Sequence, residues 1–311
     1  MKKILKSVYM FVMKPIISLM RKLEIDIYTN RILLGKLLII ENSKKNVKSL
    51  EDVEFKIFSQ WGEDGIIQYL ISKIPIENKI FVEFGVEDYR EANTRFLLVN
   101  NNWSGVVIDS NADYIKKIKS EDIYWRYDLK AIHAFITKDN INDLLLNAGL
   151  SGDIGLLSID IDGNDYWVWN EINCISPRIV ICEYNSLFGN KYAITIPYDA
   201  YFNRTKAHYS NLYFGASLKA LCLLAERKGY CFIGSNSAAC NAFFVRNDFK
   251  NFVKDIIREA KYVESKARES RDKFGKLTFI SGKDRIKLIS HLKVIDVINM
   301  QEKSINELDI F

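Results

Sequence analysis

The sequence predicts an α/β fold with a mostly parallel sheet, because apolar β-branched runs alternate with helical segments from Glu54 onward. Two of these runs, residues 81–84 and 106–109, each carry an acidic residue at or near their end, and the first turns at Gly85. In an open α/β sheet, ligands bind at the carboxyl ends of the strands. The pattern therefore predicts a binding cleft at this edge of the sheet.

The elements follow one another along the chain with short connections. The predicted strands cover residues 79–83, 105–109, 123–127, 154–160, 178–183, 230–233 and 242–245. The predicted helices lie within residues 55–72, 91–100, 112–119, 140–148, 165–172 and 216–228. Seven strands with helices between them indicate a Rossmann-like sheet covered on both faces. The stretch 184–213 is long for a connection, which is typical of a functional loop.

Composition limits the class of protein. The 311 residues are 48% hydrophobic and 27% charged, which is ordinary for a globular chain. None of the five cysteines forms a CxxC pair, so we expect a reducing, cytoplasmic setting and no zinc site. We expect three parts: a basic helical arm (1–53), the sheet domain (54–247) and a charged helical C-terminal extension (248–311).

The positive charge is concentrated in the N-terminal arm. Residues 1–48 contain eleven Lys or Arg and three acidic residues, whereas the remainder has a slight excess of acids. The predicted catalytic body is thus not basic, which argues against a nucleic-acid substrate. Lys14 and Pro15 interrupt the apolar run, so the arm is too short and broken to span a bilayer. Two possibilities stay open: a helix lying on the inner face of an anionic membrane, or a helix packed on the body or on a second subunit.

An acidic residue ends nearly every predicted strand. Because an unpaired buried carboxylate is unfavourable, such a row indicates function. The acids are Glu83, Asp109, Asp128, Asp160 and Glu183.

The motifs resemble those of class I S-adenosylmethionine-dependent methyltransferases. The segments Phe58–Gly65, Phe81–Glu87, Asn102–Gly105 and Ser158–Asp165 are similar, more narrowly, to a bacterial FkbM-like group whose genes often lie beside capsule or lipopolysaccharide genes. The resemblance covers about residues 54–247. It implies a final strand that inserts antiparallel into the sheet.

The resemblance also implies roles for single residues. Glu83, Phe84 and Gly85 match the glycine turn that holds the cofactor, Asp109 matches the acid that binds the ribose, and Asp160 matches the acid facing the methionine group or the substrate. Further cofactor contacts are implied for Ser59, Gln60, Glu63 and Asp128. The usual second and third glycines are replaced by Glu87 and Tyr89, whose larger side chains should narrow the floor of the cofactor site.

The acceptor side is predicted in the long loop. O-methylation needs a base for the acceptor hydroxyl, and His208 in this loop is the candidate, with Asp160 and Asp162. Arg204 and Lys206, beside the Gly215 turn, can instead form an anion site for a phosphate, phosphoramidate or carboxylate of the acceptor. We assign substrate binding to four loop residues: Arg204, Lys206, Tyr209 and Tyr213.

A divalent ion is a further option. Side-chain oxygens that follow the fourth and fifth predicted strands could hold one Mg²⁺, and they belong to Asp160, Asp162, Asp165, Glu183 and Asn185. We take Asp162 and Glu183 as the candidate ligands, although the Asp162–Asp165 segment is equally typical of a turn.

We therefore expect an O-methyltransferase acting on a surface-polysaccharide component or its precursor. Two alternatives stay open: a non-catalytic scaffold in glycan assembly, anchored through residues 1–48, and an NAD(P)-dependent nucleotide-sugar enzyme. The second lacks the glycines of a G-x-G-x-x-G fingerprint.

Overall fold

A computed structural model describes the backbone of residues 2–256 and 263–310, and the side chains of residues 13–256 and 263–310. The chain forms two compact units, one ending at Lys45 and the other beginning at Asn46. The first unit is a single helix, α1 (Lys2–Ser43), which contains Pro15. Among the described residues, no helix combines the length and the apolar character needed to cross a bilayer.

The second unit contains the remaining helices and strands. Its strands are β1 (Ile80–Phe84), β2 (Ser104–Asp109), β3 (Leu129–His133), β4 (Gly152–Ile159), β5 (Ile175–Glu183), β6 (Ile194–Thr195), β7 (Tyr230–Ser235), β8 (Asn241–Arg246), β9 (Lys293–Asp296) and β10 (Gln301–Ser304). Its α-helices are α2 (Glu63–Lys73), α3 (Arg95–Asn101), α4 (Ala112–Ser120), α5 (Asp122–Arg126), α6 (Ile141–Asn147), α7 (Asp165–Glu171), α8 (Arg204–Ala207), α9 (Leu218–Arg227) and α10 (Lys283–Ile289).

The main sheet has seven strands in the order β3-β2-β1-β4-β5-β8-β7. The first five are parallel, and β8 pairs antiparallel with both β5 and β7. The Rossmann-like prediction is confirmed, including the antiparallel last strand. The strand order reverses between β1 and β4, which is where an open α/β sheet forms its ligand crevice.

Both faces of the sheet are buried, as the continuous apolar strands predict. Val82 and Phe84 of β1 belong to one apolar cluster, and Phe81 belongs to a second cluster on the other face. The strands therefore hold the polar residues at their carboxyl ends in fixed positions.

The predicted third strand is wrong. Residues 123–127 lie largely in helix α5, where Arg126 pairs with Asp122 one turn earlier at 2.9 Å. The strand follows at β3, where the alternate residues Leu129 and Ala131 are buried. Asp128 consequently precedes a strand, at the opposite edge of the sheet from the cleft.

The C-terminal extension, which was expected to be helical, contains two strands as well as helix α10. Strands β9 and β10 join β6, from the long loop, in a three-stranded sheet. A third apolar cluster fastens this segment to the loop, with Phe188, Ile194 and Leu212 on one side and Ile289 and Val294 on the other. The sequence does not indicate these two short strands, because each has few buried residues and lies in a highly charged segment. The C-terminal segment thus holds the long loop beside the cleft.

Candidate functional site

The upstream motif is a turn built around one buried carboxylate. Asp64 Oδ2 accepts the backbone N–H groups of Ile57, Phe58 and Ser59 at 2.7, 2.7 and 2.8 Å, and the Ser59 hydroxyl at 2.9 Å. Burial raises the pKa of Asp64 to about 6. The Ser-Gln-x-Gly-Glu-Asp pattern is therefore needed to shape this loop.

The three residues predicted from this motif have different positions. Gln60 lines the cleft. Ser59 is fully buried against Asp64, and Glu63 accepts hydrogen bonds from Asn236 and Asn241 at 2.6 and 2.8 Å. Neither Ser59 nor Glu63 lines the cleft, so both hold the loop that presents Gln60.

The glycine turn after β1 leaves no room for a side chain. Gly85 has a φ of +71°, and a Cβ there would lie 1.7 Å from the backbone oxygen of Asp160. Glycine adopts this left-handed conformation without steric strain. The chain after β1 therefore passes directly against the end of β4, at the point where the strand order reverses.

The two departures from the glycine pattern adopt glycine-like backbone conformations. Glu87 and Tyr89 have φ values of +48° and +62°. Tyr89 is fully buried, and its hydroxyl lies 3.0 Å from that of Thr94. It is not among the cleft residues, so the expectation that it narrows the cofactor floor is wrong; Glu87 does line the cleft.

Glu83 shapes the neighbouring loop. Its carboxylate accepts the backbone N–H of Asn93 at 2.8 Å, and both the N–H and the hydroxyl of Thr94 at 3.0 and 2.5 Å. Burial raises the pKa of Glu83 to about 7. The Glu83 carboxylate thus positions Asn93, which lines the cleft. Phe84, which was predicted to bind the cofactor, lies in the apolar core instead, and the next residue, Gly85, lines the cleft.

Asp109 ends β2 at the cleft and is 8% exposed. One of its oxygens accepts the backbone N–H of Glu87 and the other that of Asn111, both at 2.8 Å. A carboxylate oxygen has a second lone pair. Asp109 can therefore accept a ligand hydroxyl while holding the glycine turn.

A cavity of about 750 Å³ lies along these strand ends. Phe135 and Ile136, beyond β3, line one end, and the turn at Gly85 lies in the middle. Asp160 after β4 and Glu183 at the end of β5 line the other end. The lining includes eight carboxyl groups and two guanidinium groups: Glu83, Glu87, Glu91, Asp109, Asp160, Asp162, Glu183 and Glu269, with Arg204 and Arg271.

Three carboxyl groups are crowded together at the far end. Ligand oxygens of Asp160, Asp165 and Glu183 lie within 4.8 Å of one another. Burial, and then the neighbouring acids, raise the pKa values of Asp160 and Glu183 well above the ordinary range. Two such close carboxyls do not both ionise easily, so the pair favours a state in which one of the two groups holds a proton.

The same three acids are the donor set that could hold a divalent cation. Asp165, however, already accepts the backbone N–H groups of Ile161 and Gly163 at 2.9 and 3.0 Å. The sequence placed Asp162 in a metal site with Glu183, but Asp162 instead forms an ion pair with Arg204 at 2.6 Å. Its role as a metal ligand stays a prediction that this geometry does not favour.

The substrate residues predicted from the loop separate in space. Arg204 lines the cleft, stacked 3.7 Å over the Phe214 ring. Lys206, Tyr209 and Tyr213 are not among the lining residues, and the Tyr213 hydroxyl donates instead to the backbone of Lys293.

His208 is not brought to the strand ends. It is 8% exposed, its Nδ1 lies 2.7 Å from the Ser210 hydroxyl, and its ring faces His291. Burial and His291 lower its pKa. Since His208 and Asp128 are both absent from the cleft lining, the roles predicted for them lack the required proximity.

The anion site predicted beside Gly215 is already occupied by the chain itself. The Ser217 hydroxyl caps α9 by accepting the N–H of Ala220 at 3.1 Å, and it also accepts that of Ile194 at 3.1 Å. Its own proton goes to the backbone oxygen of Tyr192.

Several cleft residues were not predicted from sequence. Phe135 and Ile136 were overlooked because β3 was placed too early. Glu269 and Arg271 come from the C-terminal segment, where they pair with each other at 2.9 Å, and Asn211 donates to Glu269 at 3.1 Å. No local pattern marks these residues, because only the tertiary fold brings them to the cleft.

Comparison with known proteins finds no matching family model and no matching curated protein. Among solved structures, the N-terminal domain of EvdMO1 with SAH bound is similar at 8% identity, over 59% of this chain and 80% of that one, with a TM-score of 0.39. An S-adenosylmethionine-dependent methyltransferase from Clostridium acetobutylicum ATCC 824 has 6% identity, coverage of 59% and 90%, and a TM-score of 0.37. TehB from Haemophilus influenzae has 10% identity, coverage of 60% and 62%, and a TM-score of 0.34. At these scores each is a partial backbone resemblance.

Proposed function

We propose that this chain is an S-adenosylmethionine-dependent methyltransferase that methylates a hydroxyl group of a saccharide. The observation that carries the proposal is the meeting of Gly85, Asp109, Asp160 and Glu183 in one cavity at the reversal point of the sheet. A glycine turn beside a strand-end acid is the arrangement with which such folds hold an adenosine.

Each part of the cavity suits one part of the cofactor. Phe135 and Ile136 offer an apolar end for adenine, and Asp109 offers an acceptor for a ribose hydroxyl. The turn at Gly85 allows close approach of the backbone, and we assign Asp160, which lines the cavity beside this turn, to the methionine ammonium. S-adenosylmethionine carries a sulfonium and an ammonium group, so the excess of carboxyl groups in the lining favours its binding.

For the chemistry, we assign Asp160 and Glu183 rather than His208. S-adenosylmethionine supplies an electrophilic methyl group. Transfer to oxygen then requires a base for the acceptor proton, and we assign this role to the paired carboxyls at the ends of β4 and β5, whose oxygens lie within 4.8 Å of each other. His208 lies outside the cavity lining. General-base catalysis of this kind contributes about 10²–10⁴-fold in rate.

The acceptor end favours a neutral polyhydroxyl compound. Asn203, Thr205 and Asn211 line it with groups that hydrogen-bond to hydroxyls. Arg204 forms an ion pair with Asp162, and Arg271 forms one with Glu269. The charge of each guanidinium group is therefore already balanced by a carboxylate of the chain, which disfavours a phosphate ligand. We propose a sugar of a surface polysaccharide, with a phosphorylated precursor as the less favoured form.

The experiment is a transfer assay. Purified protein is incubated with S-adenosylmethionine and a panel of neutral and phosphorylated saccharides, with Mg²⁺ or with EDTA, and release of S-adenosylhomocysteine is measured. We expect turnover with a neutral saccharide that Glu183→Gln reduces at least 100-fold while cofactor binding is kept. Asp143→Asn, at an exposed position, is the matched control. Cofactor binding without turnover on any hydroxyl compound, or unchanged turnover in Glu183→Gln, would contradict the assignment.

A further inference from the structure

Helix α1 carries a repeat of apolar residues that the second unit's function does not use. The repeat has spacings that alternate between three and four residues, and it consists of Met13, Ile16, Met20, Leu23, Ile27, Asn30, Leu34 and Leu37. This is the a/d spacing of a heptad, with Met13 at an a position. All but Asn30 are apolar, and the six apolar positions from Ile16 onward are exposed in the single chain.

From this spacing we propose that α1 forms a parallel, in-register two-stranded coiled coil with a second copy of this chain. Exposed apolar residues on one seam of a long helix are stabilised when a partner helix covers them. The seam from Ile16 to Leu37 spans about three heptads, or roughly 32 Å at 1.5 Å per residue.

Asn30 selects the register. It occupies a d position between Ile27 and Leu34, so its amide would be buried within the seam. A buried amide without a hydrogen-bond partner is unfavourable. In-register parallel pairing brings it beside Asn30 of the partner subunit, with which it can exchange a hydrogen bond. A slipped register would place it against apolar side chains instead.

The charged residues at the edges of the seam agree with the same arrangement. Asp26 is at a g position and Arg31 is at the following e position, five residues later. In a parallel coiled coil, g of one helix lies beside the next e of its neighbour. Asp26 would therefore approach Arg31 of the partner subunit, and the symmetric pair would form on the other side.

A membrane surface is the competing partner, and the same residues disfavour it. A helix lying on lipid needs one continuous apolar face. Here Asn30 lies within the apolar seam, and Glu24, Asp26 and Arg31 border it. Lipid would desolvate Asn30 and Asp26, whereas a second helix places Asn30 beside Asn30 of the partner subunit and Asp26 beside Arg31 of the partner subunit. The basic residues Lys14, Arg21, Lys22 and Lys36 lie at b and c positions, away from the seam.

The test is the mass of the full chain in solution, measured by sedimentation equilibrium over a range of concentrations. For a 36.1 kDa chain we expect a dimer. The double variant Ile27→Asp/Leu34→Asp should be monomeric, because it places charge in the seam. Ile25→Asp, at an f position that is 58% exposed, should remain a dimer. Cooperative thermal unfolding of each variant, at the same midpoint as the original chain, shows that the second unit remains folded.

Orientation has its own readout. Asn30→Cys should form an interchain disulfide on mild oxidation, seen as a doubled mass on a non-reducing gel, whereas Ile25→Cys and the unaltered chain should not. Exchange of charges also tests the parallel orientation. Arg31→Asp should raise the dissociation constant of the dimer at least several-fold, and adding Asp26→Arg in the same chain should restore the original value. A monomeric wild-type chain, or one that is monomeric and co-sediments with phosphatidylglycerol vesicles, would overturn the proposal.

Discussion

The Asp109 carboxylate accepts the backbone N–H of Glu87 at 2.8 Å, so the acid that ends β2 holds the left-handed residue of the turn that follows β1. The two segments proposed to hold the cofactor are thereby joined by a direct hydrogen bond. This bond is the reason that an acid is needed at the end of β2 even before a ligand arrives.

Asp109→Ala should weaken both the turn and the cofactor site. Loss of an acceptor for a buried N–H destabilises a protein by about 1–3 kcal/mol, and we expect a loss in that range, measured by urea denaturation. Affinity for S-adenosylhomocysteine should fall at least ten-fold. Asp113→Ala, exposed on α4, is the control and should change neither quantity.

Gly85→Ala should be much more harmful than another glycine substitution at positive φ. Its Cβ would meet the backbone of Asp160, whereas a Cβ at Gly229, with φ +82°, meets nothing within 4 Å. We expect Gly229→Ala to lower the free energy of unfolding by about 1–2 kcal/mol through backbone strain alone. Gly85→Ala should lower it by about 1–3 kcal/mol more, through overpacking. Equal losses of unfolding free energy in the two variants would show that the turn after β1 can accommodate a Cβ atom at position 85.

Replacing each of the two residues Glu87 and Tyr89 by glycine should change stability by very different amounts. Tyr89→Gly removes a fully buried ring and should destabilise the protein by about 3–5 kcal/mol. Glu87→Gly relieves a left-handed conformation at a cleft position and should leave the free energy of unfolding within about 1 kcal/mol of the original value. Thermal unfolding of both variants checks this, and a large loss in Glu87→Gly would show that its side chain supports the fold.

Glu83 should make stability depend on pH. Burial raises its pKa to about 7, so the folded state keeps a proton that the unfolded state has released above its ordinary pKa of 4.5. The free energy of unfolding should therefore fall as the pH rises from about 4.5 to 7. Urea denaturation across that range should show a smaller slope for Glu83→Gln. The exposed Glu77→Gln should keep the original slope, and an unchanged slope in Glu83→Gln would assign the effect elsewhere.

The parts of the fold that could be predicted were those with a strong local pattern. Residues 80–84 and 104–109 were recognised because a buried parallel strand reads as a continuous apolar run. The turn at Gly85 was recognised because its backbone conformation requires glycine. Asp109 and Asp160 followed from these, since strand ends in a parallel sheet share one edge.

The errors arose where tertiary contacts decide the outcome. Residues 123–127 are apolar or aromatic except for Arg126, and tertiary contacts decide that residues 123–126 form a helix that precedes β3. His208 looked like a base because the loop was expected to cover the strand ends, but the C-terminal segment packs against that loop and holds His208 beside His291. Arg271 and Glu269 reach the cavity from about 110 residues beyond Asp160, a distance in sequence that no short motif can bridge.

The measurement that tests the central claim most directly is a calorimetric titration of the purified 311-residue chain with S-adenosylhomocysteine. We predict saturable binding of one molecule per chain with a micromolar dissociation constant, weakened at least ten-fold by Asp109→Ala and unaffected by Asp113→Ala. No saturable binding by the folded wild-type chain, or equal binding by the folded Asp109→Ala variant, would contradict the assignment of this cavity.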